Sequence, residues 1–397
     1  MMSGNKKWTG RQINWVFSGH VLTDVEDVTY FALDAMEVIE TRSLGTNHTK
    51  IKLKKERQSM KKHLSMVMVL VLAFFLMVSS LGLAASKKYT IGYDIYFLGN
   101  TWSVQMYKEF ASEAKRHSDA VSNVIYVESE GKVDKQIANI EDLIVKKVDA
   151  IITTPNSPTA LIPVLKKAQS KGIKVVLLAA TIKANFYDAL ITVDDVDFGK
   201  AGAEWLVNKL NGKGKIIALN GIAGLSVSQD RWNGAKSVFD KYPGIKILST
   251  INADWDYAKA KMEVSNLLVA QPQIDGVWSQ GGGMTLGAIE AFQAAKRPLV
   301  PMTSEDNNGF LKVWKQLNES KTGFDSIAVA KPTWLGSEAL KVALDLLQGK
   351  KVKKNQILPV PKITDANLDQ FVRPELPDSF WANSRMTDEE IKATFSK

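Results

Sequence analysis

The chain has 397 residues, 45% hydrophobic and 23% charged, which is room for two domains with full cores. With no cysteine it forms no disulfide, offers no thiolate or zinc–cysteine site and carries no lipid-bearing amino-terminal cysteine; with four histidines, only His117 of them beyond residue 63, a histidine-based metal or catalytic site is not expected. The net charge of +9 is spread thinly: 40 basic and 35 acidic residues follow Lys62, interspersed, without the lysine or arginine stripe that a nucleic-acid backbone requires.

Residues 1–59 match no usable pattern and end in a basic patch, Lys50–Arg57. Met60-Lys61-Lys62 then opens an uncharged run, Leu64–Leu83, closed by Gly82, Ala84, Ala85 and Ser86. A basic start, an apolar middle and a small-residue end make 60–86 a secretory signal peptide, with the mature chain beginning near Ala85–Lys87. A membrane anchor facing the periplasm is the alternative, because about 20 apolar residues suffice to span a bilayer. Translation from Met60 would account for 1–59; a cytoplasmic extension is the other reading.

From Tyr89 short apolar runs alternate with helical periods, which signals parallel α/β sheets. Strands are expected at Thr90–Tyr96, Val124–Val127, Ala150–Thr153, Val175–Leu178 and Leu190–Val193. Helices are expected at Thr101–His117, Val133–Lys146, around Pro158–Gln169 and at Asp197–Leu210. Lys215–Leu219 is the next strand; Asn220, Gly221 and Gly224 allow a tight turn, and a helix begins near Gln229. Arg231 therefore stands beyond a strand's carboxyl end, where open α/β sheets bind ligands, and its guanidinium offers a planar donor fork. At the mouth of a cleft it should add little to either core. The second half repeats the rhythm, with strands at Lys246–Ser249, Gly276–Ser279, Leu299–Met302 and Ser326–Ala330. Its helices are expected at Tyr257–Val269, Met284–Ala295, Phe310–Ser320 and Trp334–Leu347. Two sets of about five or six strands fit two doubly wound lobes.

The polar and aromatic residues that follow the strands form the candidate site. They are Asn100 and Trp102, Asn156, Arg231, Trp255, and Asp306 with Asn307. Asn100 and Asp256 are also good helix caps. Tryptophans, an arginine, a carboxylate and side-chain amides suit a sugar, whose C–H faces stack on rings while its hydroxyls meet planar polar groups.

On these residues the chain resembles the ribose/galactose-type periplasmic sugar-binding proteins, the solute receptors of ABC importers. The matching stretches are Thr90–Trp102, Gly221–Gly224 with Arg231–Gly234, Ala253–Asp256, Met284–Ala288 and Glu305–Gly309. The resemblance implies two similar doubly wound parallel-sheet lobes joined by a three-crossing hinge and closing over one sugar or polyol. It places the crossings near Asp194, Val329 and Gly349. One lobe would then be 87–193 with 330–348, the other 194–329 with 349–362, and 363–397 a tail lying across a lobe with its aromatics packed. It implies ligand contacts from Asn100, Trp102, Arg231, Trp255 and Asp306, membrane permease subunits as partner, a monomeric chain, a periplasmic location and no cofactor.

Three departures remove polar side chains: Ala179-Ala180 stand where ribose receptors have Asp-Arg, Gly281–Gly283 where they have Asn-Asp, and Val329 where a glutamine is expected. The triple glycine reads as space for a larger ligand or for backbone N–H contacts. A sensor for chemotaxis is an alternative role on the same fold. A lac-type repressor would need a helix-turn-helix where the leader stands. An enzyme is not expected, since Gly221-x-x-Gly224 is no dinucleotide fingerprint and no phosphate loop is present.

Overall fold

The computed structural model describes residues 87–395, together with 59, 61–63 and 65–69. The extension through residue 58 and most of the expected leader, including its junction at Ala85 and Ser86, lie outside the described residues. Among the described residues, no helix is long and apolar enough to cross a membrane.

The first half alternates β1 (Tyr89–Ile95), α1 (Thr101–Arg116), β2 (Val121–Glu128), α2 (Val133–Val145), β3 (Ala150–Thr153), α3 (Ile162–Ser170), β4 (Lys174–Leu178) and β5 (Ala189–Val193). The second half repeats it with β6 (Lys213–Asn220), α5 (Ser226–Phe239), β7 (Gly244–Asn252), α6 (Tyr257–Ala270), β8 (Gly276–Ser279), α7 (Gly282–Ala294), β9 (Met302–Ser304), α8 (Asn308–Glu319) and β10 (Ser326–Val329). Both sheets run in the same order, β5-β4-β3-β1-β2 and β10-β9-β8-β6-β7, with parallel neighbours. Burial explains the composition of the strands. Every residue of β3 and β8 is buried, so these runs show no alternation; the edge strands β2 and β7 expose residues along their length.

The chain passes between the lobes three times. The first passage enters α4 (Asp195–Lys209), which Asp194 caps by accepting from the Val196 and Asp197 amides. The second leaves β10 for α9 (Leu335–Leu347), which packs on α1 and β4 of the first lobe. The third differs from the expectation at Gly349. The segment β11 (Asn355–Leu358) pairs in parallel with β5, so the chain stays in the first lobe through Leu358. It crosses only at Pro359–Pro361 to reach β12 (Lys362–Ile363), antiparallel to β10. The outer edge of β5 needs a partner, and a four-residue strand behind a lysine-rich stretch gives little sequence signal for it. Likewise β9 starts at Met302 and not at Leu299, because Pro301 has no N–H to give to a ladder; its carbonyl accepts from Val277 N at 3.0 Å.

Helices α4 and α5 approach backbone to backbone. A Cβ on Gly199 would stand 1.8 Å from the Arg231 carbonyl oxygen, and one on Gly234 would stand 2.0 Å from that of Val196. This approach brings Asp195 beside Arg231. Gly234→Ala must push the helices apart, at about 1–3 kcal/mol for overpacking, less about 1 kcal/mol of helix propensity regained. Urea unfolding should therefore show a net loss. Stability equal to wild type would mean that these glycines do not set the helix spacing.

The tail continues past β12 through Leu368 and Val372, which join the second-lobe core, to α10 (Asp388–Phe395). It does not stay on one lobe: it binds α8 of the second lobe and α1 of the first.

Candidate functional site

A cavity of about 380 Å³ lies between the lobes, at the carboxyl ends of both sheets. Asn100, Trp102, Thr154 and Ala179–Ala180 line it from the first lobe, and Arg231, Trp255, Gly281–Gly283, Glu305 and Asn307 from the second. Lys331 enters from the second crossing, and Trp381 comes from the tail.

Its floor is a buried ionic cluster. Arg231 Nε donates to Asp195 Oδ1 at 3.0 Å, and its Nη1 donates to Glu305 Oε1 at 2.8 Å and to the Gln280 carbonyl at 3.0 Å. Lys331 Nζ donates to Asp195 Oδ2 at 2.7 Å and to the Ala179 carbonyl at 2.5 Å. The Arg231 guanidinium also lies over the Phe198 ring, 3.6 Å from its centroid. Arg231 is only 2% exposed and is bonded to three groups of its own lobe, so it is not the cleft-mouth side chain expected to add little to either core. It cross-links α4, α5 and the segment after β9.

Burial pushes Glu305 up to about 7, with Arg231 pulling the other way. Burial also holds the Lys331 ammonium below its ordinary value, against the pull of Asp195. Since Glu305 binds its proton more tightly folded than at its ordinary 4.5, its contribution to stability is fully present below that value and is lost as pH rises through about 7. Wild type should therefore gain stability relative to Glu305→Gln as pH falls from about 8 to about 5.5. Urea unfolding at both pH values measures this, and a pH-independent difference would contradict it.

Trp255 is seated by strain and by glycines. Asp254 and Trp255 both have left-handed backbones, φ 58° and 56°. A Cβ on Gly221 would meet the Trp255 ring at 2.2 Å, and one on Gly281 would meet it at 2.8 Å. On Gly282 a Cβ would stand 2.5 Å from Asn307 Cβ, while on Gly283 it would meet only ordinary contacts, the nearest at 3.8 Å. Gly281 and Gly282 thus accommodate the protein's own side chains, while all three glycines still line the cavity. Trp255 Nε1 is buried without a hydrogen-bond partner. With no exposed surface it is out of reach of a ligand oxygen in this conformation; the ring is what lines the cavity. Trp102 is different: its Nε1 donates to the Lys331 carbonyl at 2.7 Å, which fixes the ring at the wall.

Of the expected site residues, the cavity brings together Asn100, Trp102, Arg231, Trp255 and Asn307. Asn100 caps α1 by accepting from Ser103 N at 2.8 Å, and Asn307 caps α8 by accepting from Phe310 N at 3.3 Å. Asn156 is not in the wall; Thr154 and Pro155 line it instead, while the Asn156 amide N–H donates to Gln136 Oε1 at 2.8 Å. Asp306 is not in the wall either. Its Oδ2 accepts from Asn383 N and Nδ2 of the tail at 2.7 and 2.8 Å. Neighbours leaving a strand point to opposite sides, so the carboxylate at the cavity is Glu305. Asp195, Lys331 and Trp381 were missed. Lys331 partly replaces what Ala179-Ala180 lack, since its ammonium bonds the Ala179 carbonyl. His117 pairs with Glu113 at 2.9 Å at the end of α1 and does not line the cavity.

The chain is similar in sequence and fold to known binding proteins. The ribose import binding protein of Bacillus subtilis is 28% identical over 274 residues, 69% of this chain and 87% of its own. A xylitol-binding protein of Mycolicibacterium smegmatis is 32% identical over 267 residues, 66% of this chain and 75% of its own. Among solved structures, an ABC transporter solute binding protein from Thermobispora bispora superposes with a TM-score of 0.69 at 28% identity, covering 77% of this chain and 94% of that one. All three are binding proteins by name, the last of an ABC transporter. A family model for the periplasmic binding protein domain matches residues 91–351, and the chain belongs to that family.

Proposed function

We propose that this protein is a solute receptor that takes a sugar or sugar-like polyol into the cleft between its lobes and delivers it to the permease of an ABC importer. The observation that carries this reading is the wall itself. Trp102 and Trp255 present ring surface, and Glu305 and Arg231 stand behind them with acceptor and donor atoms. Ribose and xylitol, the ligands in the names of the two relatives, are small polyhydroxylated molecules of this kind. A ligand touching both lobes favours the closed form only by its differential affinity for the two forms, and closure then offers the permease a surface made by both rims. The mature protein acts as a monomer in the periplasm, released there by cleavage of 60–86. Amino-terminal sequencing of the exported form reads that boundary, and an intact chain in the membrane fraction would replace the leader with an anchor.

A thermal-shift screen across pentoses, hexoses, polyols and disaccharides tests the reading. At least one of these classes should raise the melting temperature in a saturable way. No shift from any of them, with a shift from an amino acid or peptide, would overturn it.

A further inference from the structure

The two lobes are tied together by consecutive residues of one short segment. On the second-lobe side, the Phe380 carbonyl accepts from Asn308 N at 2.7 Å, and Ala382 N donates to the Asp306 carbonyl at 3.0 Å. Asn383 adds its two bonds to Asp306 Oδ2. Asn308 Nδ2 reaches back to the Arg373, Leu376 and Pro377 carbonyls. Between these anchors, Trp381 faces the other lobe. Its N–H donates to Gln105 Oε1 at 2.8 Å, its carbonyl accepts from Gln105 Nε2 at 2.9 Å, and its Nε1 donates to Thr101 Oγ1 at 3.0 Å. Phe380 and Ala382 are thus held by one lobe while Trp381 is held by the other. Trp381 also lines the cavity beside Trp102 and Asn307.

We propose that 373–395 is a latch across the cleft and that Trp381 on it is a ligand-contacting residue, a third aromatic wall that limits the size of the ligand. This rests on the reading of the cavity as the ligand site. The second-lobe joint has more bonds, including those to the Asp306 carboxyl, whereas Trp381 itself is held to the first lobe by three neutral bonds from Gln105 and Thr101. The lobes therefore part at Gln105 and Thr101, and Trp381 leaves the site with the second lobe. Beyond Trp381 the tail makes further first-lobe contacts that must also part. Thr333 Oγ1 donates to the Asn383 carbonyl at 3.4 Å, Arg385 N donates to Glu109 Oε2 at 3.3 Å, and Arg385 pairs with Glu338 and lies over the Trp334 ring. Helix α10 adds an Arg116–Glu390 ion pair and a Lys108 bond to the Thr394 carbonyl at 3.3 Å. The two ion pairs are solvent-exposed and weak, and the bonds to Glu109, Asn383 and Thr394 are long.

The test has two arms on the full mature chain. In the first, NMR-detected amide exchange of the ligand-free wild type compares Trp381 with Asn308 and Gly309, whose amides lie within the second-lobe joint. The Trp381 amide should exchange about tenfold faster or more, because opening exposes it alone. Equal protection of all three overturns the latch. In the second, calorimetry with D-ribose, xylitol and D-allose as probes compares wild type, Trp255→Ala, Trp381→Ala and Trp381→Phe. Trp381→Ala should weaken binding about tenfold or more, and Trp381→Phe should recover most of that by restoring the ring. Binding lost in Trp255→Ala but intact in Trp381→Ala overturns the role of Trp381 and leaves the cleft reading standing. Binding intact in both variants counts against the cleft itself, and in that case the exchange arm still decides the latch.

Discussion

Arg231→Ala should destabilise the ligand-free protein by about 3–5 kcal/mol and abolish measurable ligand binding. The size follows from what the guanidinium leaves behind. Asp195 and Glu305 are both buried and both accept from Arg231, and the Gln280 carbonyl loses its donor as well. Lys331 can still neutralise Asp195, but Glu305 has no other cation within bonding distance among the described residues. Arg231→Lys should recover part of the stability, because it keeps the charge. It should not recover affinity, since one ammonium cannot span three acceptors held by a planar fork. Urea unfolding and calorimetry on the two variants decide the matter. Unchanged stability in Arg231→Ala would show that the cluster does not hold the second lobe together.

Trp255→Ala should weaken ligand binding by about 1–3 kcal/mol through lost stacking and area. The ligand-free fold should suffer less, because the ring is only half-buried and its seat is already strained at Asp254 and Trp255. Calorimetry with the ligand found by the screen measures the loss. Affinity equal to wild type would remove Trp255 from the site.

The fold was legible because its signals are local. Buried strands such as Ala150–Thr153 and Gly276–Ser279 are uninterrupted small or apolar runs, and each is followed by a helix whose period can be counted. Arg231 and Trp255 were legible for the same reason: each stands just after a strand's carboxyl end. What stayed hidden depends on contacts between distant segments. Lys331 and Asp195 are 136 positions apart, and nothing local marks either as half of a buried pair. Glu305 and Asp306 are adjacent acids, and only the direction in which the chain leaves β9 decides which one faces the cavity. Trp381 reaches Thr101 across 280 positions, from a tail that the family pattern does not cover. The expectation that Arg231 adds little to either core failed because no sequence period reveals that Gly199 and Gly234 let two helices approach so closely beside it.

The most direct measurement is a crystal structure of the mature protein with the ligand that gives the largest thermal shift. That structure should show one sugar or polyol in the cleft, its C–H face on Trp255 or Trp102 and its hydroxyls on Arg231 or Glu305. Ligand density anywhere else, with the cleft between Trp102 and Trp255 holding only water, would contradict it.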